Sequence, residues 1–194
     1  MQSKKILIIG SLGYIGGKLF NKLSVNFEVI GLDSHFFSNA IFSNKSLNNK
    51  IIKKDIRKVD EYFLKNFQII ILLAGISNDP LDNFDEDLIY KPTLNYSIFI
   101  ADVCKKNNIK LIFASSCSIY GYNENIVNEK SKLNPLTGYS RNKVEIENYL
   151  TEISDSSFQP VILRFATIYG ISPRMRFDIV VNMLCGMAIT KNEI

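Results

Sequence analysis

A strand-like run, KKILIIG, passes without a break into Gly10-Ser11-Leu12-Gly13-Tyr14-Ile15-Gly16 and then into a helical pattern from Tyr14 to Leu23. Few chains can satisfy glycines at these offsets. Gly10 permits a tight turn at the end of a strand, Gly13 lets the backbone approach a phosphate pair, and Gly16 lets the following helix lie close. The first turn of that helix offers uncommitted N–H donors and the positive end of a dipole, which suits a pyrophosphate. Asp33 closes the next apolar run, FEVIGLD, twenty positions after Gly13. A carboxylate there accepts hydrogen bonds from an adenosine ribose and repels a 2′-phosphate. Residues Ile6 to Asp33 therefore read as a βαβ unit that binds a dinucleotide, NAD in preference to NADP. Through their backbones, Tyr14 and Ile15 join the three glycines as cofactor contacts.

The rest of the chain repeats the alternation. NKIIKKD, FQIIILLAG, IKLIFASS and QPVILRF are further β-type runs, apolar on both parities, which predicts strands buried on both faces. Helical spacing appears over Asp87 to Lys106 and Tyr139 to Leu150, and a further helix begins at about Phe177. Strand and helix in alternation predict an α/β fold: a doubly wound, Rossmann-type parallel sheet with helices on both faces. Residues 1–170 form the expected NAD-binding domain. Residues 171–194 read as the start of a substrate-binding region that is otherwise largely absent, because the last apolar helix has no later element to pack on. Asp55 and Ile56, directly after the third run, are placed to flank an adenine by a hydrogen bond and an apolar contact, although a solvated loop aspartate fits the same position.

Bulk properties narrow the classes. With 46% hydrophobic and 22% charged residues and no low-complexity tract, the chain reads as globular. Its net charge of +4 is scattered between apolar segments instead of lining one helix face, which argues against nucleic acid as a partner. Cys104, Cys117 and Cys185 are odd in number and sit in apolar runs, as reduced buried thiols do; neither a disulfide nor a metal cluster is expected. The lone histidine, His35, builds no metal site. The N-terminal apolar stretch breaks at glycines, unlike a signal peptide, and no window has the roughly 20 apolar residues of a membrane span. A cytoplasmic protein without a membrane partner is expected.

The chemistry-bearing residues cluster late. Tyr139 and Lys143 in GYSRNKVEIENYL lie one helical turn apart and share a face. Ser115-Ser116-Cys117-Ser118-Ile119-Tyr120-Gly121 closes a strand at the edge where doubly wound sheets bind ligands. A phenol with an ordinary pKa of about 10 is a poor base at neutral pH, and a nearby ammonium stabilises its phenolate. Tyr139 then suits a general base for a sugar hydroxyl, with a serine orienting that hydroxyl and Lys143 also holding the cofactor ribose.

Together these motifs resemble the extended short-chain dehydrogenase/reductase family, in its NAD-dependent sugar-nucleotide epimerase/dehydratase branch. The likeness runs along essentially the whole chain, through GSLGYIG, Asp33, the DIR at Asp55 to Arg57, LLAGISNDP, Asn95, SSCSIYG, YSRNK and LRFATIYG. The resemblance implies that the catalytic hydroxyl, four residues before the tyrosine of the YG pair, is Ser116. It implies that Ala74 and Gly75 lie beside the cofactor through their backbones, that Asn95 helps shape the site, and that Asn182 contacts a nucleotide-sugar substrate. Relatives also pair as homodimers through the two long helices. Arg174 and Arg176 are candidates to meet substrate phosphates.

Departures carry information too. Many relatives have a histidine at the position of Leu72 in the fourth-strand motif. Dehydratases resemble one another in an Asp-Glu pair after the catalytic hydroxyl, where this chain has Cys117 and Ser118, so dehydration is disfavoured. An epimerase is the expected activity; a sugar-nucleotide reductase or dehydrogenase, and a non-catalytic dinucleotide-binding protein, are the alternatives.

Overall fold

A computed structural model of the chain describes residues 4–42, 50–77 and 85–192. Along the chain run β1 (Lys5–Ile9), α1 (Tyr14–Leu23), β2 (Glu28–Asp33), β3 (Ile51–Lys53), α2 (Glu61–Leu64) and β4 (Ile69–Leu72). There follow α3 (Glu86–Lys106), β5 (Lys110–Ser116), α4 (Gly138–Glu152), β6 (Val161–Phe165) and α5 (Val180–Lys191). The six strands form one parallel sheet in the order β3-β2-β1-β4-β5-β6. The order reverses between β1 and β4, so a crevice opens at their carboxyl ends. Ile9, last in β1, is flanked by Leu32 of β2 and Leu72 of β4, which sets the glycine turn at the centre of that crevice.

β1 shows why this is a doubly wound sheet. Leu7 and Ile9 point into a core shared with Ile100 and Cys104 of α3 and Ile146 and Leu150 of α4. Ile6 and Ile8 point the opposite way, into a smaller core with Phe20 of α1. All four strand residues are buried, each contributing about 2 kcal/mol by leaving water. The expectation of a Rossmann-type sheet with helices on both faces is met.

Three sequence expectations need correcting. β6 is not buried on both faces: Val161 is 50% and Leu163 38% exposed, because this is an edge strand with no neighbour beyond it among the described residues. The last helix starts at Val180 and not near Phe177, since residues 171–179 form an irregular segment packed over α1. Of the three cysteines only Cys104 is buried; Cys117 follows β5 at the crevice and Cys185 faces outward from α5, and both are exposed. The end of the LLAGISNDP motif, residues 78–80, lies outside the described residues. Among the described residues no helix is long and apolar enough to cross a membrane.

Candidate active site

The glycine turn is built by steric necessity. Gly10 has φ +88°, and a Cβ there would lie 2.8 Å from the backbone nitrogen of Ala74. A Cβ on Gly16 would sit 2.0 Å from the Gly10 carbonyl oxygen, so the close approach this glycine allows is of α1 to its own turn. Gly13 caps α1 with no side-chain hydrogen bond, no acidic residue occupies the first turn, and the first helical bond runs from the Gly17 N–H to the Gly13 carbonyl. The N–H groups of Tyr14, Ile15 and Gly16 thus have no acceptor within the helix. They border a cleft of about 650 Å3 lined by Gly10, Gly13, Tyr14, Ile15 and Gly16.

Asp33 stands at the end of β2, beside the glycine turn but not among the residues that line the cleft. Its Oδ2 accepts from the Leu12 N–H at 3.0 Å and its Oδ1 from the His35 N–H at 2.9 Å. These bonds lock the carboxylate beside the glycine turn and leave each oxygen a second lone pair for a ligand hydroxyl. His35 takes a left-handed φ of 63° to make its bond. Ala74 sits behind Gly10, donating its N–H to the Ile9 carbonyl and accepting from the Tyr96 hydroxyl at 3.0 Å; Gly75 lines the cleft. Asp55 and Ile56 do not line it. The Asp55 carboxylate caps the turn after β3 and is gripped by the Arg57 guanidinium at 2.6 to 3.0 Å, which holds its pKa below the ordinary value, while Ile56 packs on the main core.

Ser116, Tyr139 and Lys143 converge on the same cleft. Ser116 is the last residue of β5. Its Oγ accepts from the Ser118 N–H at 3.2 Å and from the Ser118 hydroxyl at 2.9 Å. With both lone pairs engaged, what Ser116 has left to offer is its own O–H, as a donor. Tyr139 and Lys143 are held by α4, whose start is fixed by a reciprocal capping box between Thr137 and Ser140 worth about 1 kcal/mol. The Lys143 ammonium donates to the Ala114 carbonyl at 2.7 Å, lies 4.6 Å from the Phe113 ring centre and 5.6 Å from that of Tyr139. It is 5% exposed, and burial pulls its pKa down to about 8, with the Glu147 carboxylate opposing the fall.

Some functional structure escaped the sequence reading. Behind Lys143, Glu147 is ion-paired to Arg164 of β6 at 2.7 Å, and Arg164 also donates to the Tyr120 hydroxyl at 2.8 Å. One network therefore ties the Ser116 turn, α4 and β6 together. Two signals pointed to it: a charge inside the apolar run VILRF, and a glutamate four residues after Lys143. Phe37, Ser77, Arg174, Arg176 and Asp178 also line the cleft. Asn182 does not. It is buried, its Nδ2 donates to the Tyr14 hydroxyl and the Arg176 carbonyl, and its Oδ1 accepts from the Gly170 N–H, leaving one lone pair for any ligand. Among the described residues no group of three or more His, Cys, Asp or Glu side chains is arranged to hold a metal ion.

Sheet order and glycine turn define a Rossmann-type α/β protein, with a serine, a tyrosine and a lysine gathered at its crevice. The chain belongs to the NAD dependent epimerase/dehydratase family, whose sequence profile matches residues 6–191. It is 31% identical over 198 residues to an uncharacterised UDP-glucose epimerase, YtcB, of Bacillus subtilis, covering 93% of this chain and 61% of the relative. Among solved structures it is similar to the UDP-N-acetylglucosamine 4-epimerase of Methanobrevibacter ruminantium, with 28% identity, a TM-score of 0.81, and 92% of this chain and 59% of that one covered. It is also similar to TunA, an NAD-dependent NDP-hexosamine 5,6-dehydratase of tunicamycin biosynthesis, with 25% identity, a TM-score of 0.83 and coverages of 97% and 62%. The chain spans about three-fifths of the length of these relatives.

Proposed function

We propose that the chain carries the cofactor half of an NAD-dependent epimerase acting on a nucleotide-linked sugar in the cytoplasm. The observation that supports this best is the convergence of Ser116, Tyr139 and Lys143 on the cleft that the glycine turn borders. The residues suit NAD: orphan N–H donors of Tyr14, Ile15 and Gly16 meet a pyrophosphate, and the Asp33 carboxylate meets a ribose diol and repels a 2′-phosphate. When bound, NAD accepts a hydride from the sugar and returns it within the same turnover.

The protein's own residues do the rest. Tyr139 takes the proton of the ring hydroxyl being oxidised, and the Lys143 ammonium stabilises the phenolate that does so. The ammonium lies 5.6 Å from the centre of the Tyr139 ring, and a unit-charge pair at about that separation and an effective dielectric near 20 attracts by about 3 kcal/mol. The Ser116 O–H donates to the same sugar oxygen and follows it as the carbonyl forms. For the return step Tyr139 gives the proton back. Asp55 and Ile56 are assigned to the adenine edge, Ala74 and Gly75 to the cofactor by backbone contact, and Asn182 to the margin of the substrate. Residues 1–170 form the cofactor domain, residues 171–194 open the substrate region, and a homodimer through α3 and α4 belongs to the same reading.

The test is calorimetric binding of NAD to the 194-residue chain, followed by incubation with a panel of UDP-, dTDP- and ADP-sugars. The chain is expected to bind NAD and to turn over little or no sugar. Any epimer exchange should need Tyr139 and proceed without net NADH. Sustained NADH accumulation would make the protein a dehydrogenase, and activity that survives Tyr139→Phe would remove the phenol from the chemistry. Robust epimerisation by this chain alone would refute the assignment of residues 171–194 as merely the start of the substrate region.

A further inference from the structure

Residues 170–178 run as a strap along the cleft, fastened to the first turn of α1. The Tyr14 hydroxyl donates to the Gly170 carbonyl at 2.6 Å, and the Ser172 hydroxyl donates to the Tyr14 carbonyl at the same distance. Pro173 packs against Gly17, within 3.5 Å of where a Cβ would be, and its carbonyl accepts from the Phe42 N–H at 2.8 Å. The strap therefore bridges the start of α1 and the loop that follows β2. Arg174, the next residue, projects into this bridge with its guanidinium 4.0 Å from the centre of the Phe37 ring.

The charge on Arg174 is unusually uncommitted. Arg176 is ion-paired to Asp178 at 2.5 Å and bonded to Ser77, but Arg174 makes no ion pair and no hydrogen bond among the described residues. Asp33 and Asp178 act on it only at longer range, and both Asp33 oxygens already accept backbone N–H bonds. A half-buried guanidinium, stacked on one face, lining a cleft and with no hydrogen bond or ion pair among the described residues, is a preorganised anion contact. Its neighbours say which anion: on one side the orphan N–H groups of α1, on the other Phe37 and Asp33 at the end of β2. A phosphodiester bound between these features is the pyrophosphate of a dinucleotide, toward its adenosine side.

We infer that Arg174 is a cofactor-binding residue that clamps the dinucleotide pyrophosphate from the strap, completing the site that α1 begins. This rests on the NAD-binding reading above. The shared chemistry is a phosphate anion, and three sources compete for it: the cofactor pyrophosphate, the 2′-phosphate of NADP and the diphosphate of a nucleotide sugar.

The experiment measures the affinities of NAD, ADP-ribose, NADP, UDP and adenosine for the wild-type chain, Arg174→Gln and Arg174→Lys by titration calorimetry at low and moderate salt. Arg174→Gln should weaken NAD and ADP-ribose by about tenfold or more, the lower end for losing a charged hydrogen bond. Adenosine and UDP should be unaffected. Arg174→Lys should recover part of the loss, and the salt dependence of NAD binding should flatten in Arg174→Gln. Equal weakening of adenosine would show that the residue only shapes the strap, and overturn the proposal. So would an unchanged NAD affinity, a loss confined to UDP, or a loss confined to NADP. A wild-type chain that binds none of the adenine ligands would overturn the dinucleotide reading itself, a result distinct from any of these.

Discussion

Replacing Lys143 by methionine should make the protein more stable while removing the cation proposed to stabilise the Tyr139 phenolate. The ammonium is 5% exposed and burial brings its pKa from 10.5 to about 8. Each tenfold change in proton affinity is worth about 1.4 kcal/mol, so keeping this group charged at pH 7 costs the folded state about 3 kcal/mol. Methionine fills a similar volume without a charge, and loses the bond to the Ala114 carbonyl and the contact with the Phe113 ring. After an offset of about 1 kcal/mol for those, the variant should gain roughly 2 kcal/mol at pH 7. The pH dependence gives a sharper signature. Unfolded, Lys143 releases its proton near pH 10.5 and folded near pH 8, so between those values the unfolded chain binds more protons and wild-type stability rises with pH. The advantage of Lys143→Met should therefore shrink by about 3 kcal/mol as pH climbs through that window. Urea unfolding of both proteins without cofactor, at pH 7 and again near pH 10, measures it. A variant less stable than wild type at pH 7, or a difference that stays constant with pH, would refute the account of Lys143 as a charge held at a cost for function.

Two further outcomes follow from the geometry. Gly16→Ala puts a methyl group 2.0 Å from the Gly10 carbonyl oxygen, so α1 must shift; a loss of about 3 kcal/mol in stability and of NAD binding is expected in parallel urea and calorimetric titrations. Arg164→Leu strands the Glu147 carboxylate, whose side chain is 4% exposed, and should cost about 3 kcal/mol, whereas adding Glu147→Leu should recover most of that; a double-mutant cycle showing simple additivity would contradict the pairing.

What the sequence could declare followed from how local each signal is. The glycine turn, the six strands and the Tyr139–Lys143 spacing are encoded within a few residues, so their placement could be read directly. That a strand's carboxyl end faces the crevice placed the serines of SSCS there, but choosing Ser116 over Ser115 and Ser118 rested on the family resemblance. The network of Glu147, Arg164 and Tyr120 joins a helix, a strand and a turn that are distant in sequence; the charge inside VILRF and the glutamate after Lys143 mark two of its members, but only the tertiary fold shows that they meet. β6 misled for a related reason: VILRF is as apolar as a central strand, and only the sheet order reveals that it lies at an edge. Asn182 was tied by resemblance to a sugar, and its bonds to Tyr14 and Gly170 depend on where the strap runs. Cys117 and Cys185 sit in apolar runs whose faces only the tertiary fold distinguishes.

The fastening of Tyr14 has a kinetic meaning. Its hydroxyl meets Gly170 across a sequence separation of 156 residues and Asn182 across 168. Closing loops that long is slow, and on a ribosome it must wait for the far end of the strap to emerge. β1, α1 and β2 can pair early, yet the cleft they open is walled on one side by residues 174–179, which are made long after them. A nascent chain stopped before the strap should hold a sheet but, on the proposed NAD-binding reading, grip NAD weakly, so that retention of NAD would report synthesis through residue 182.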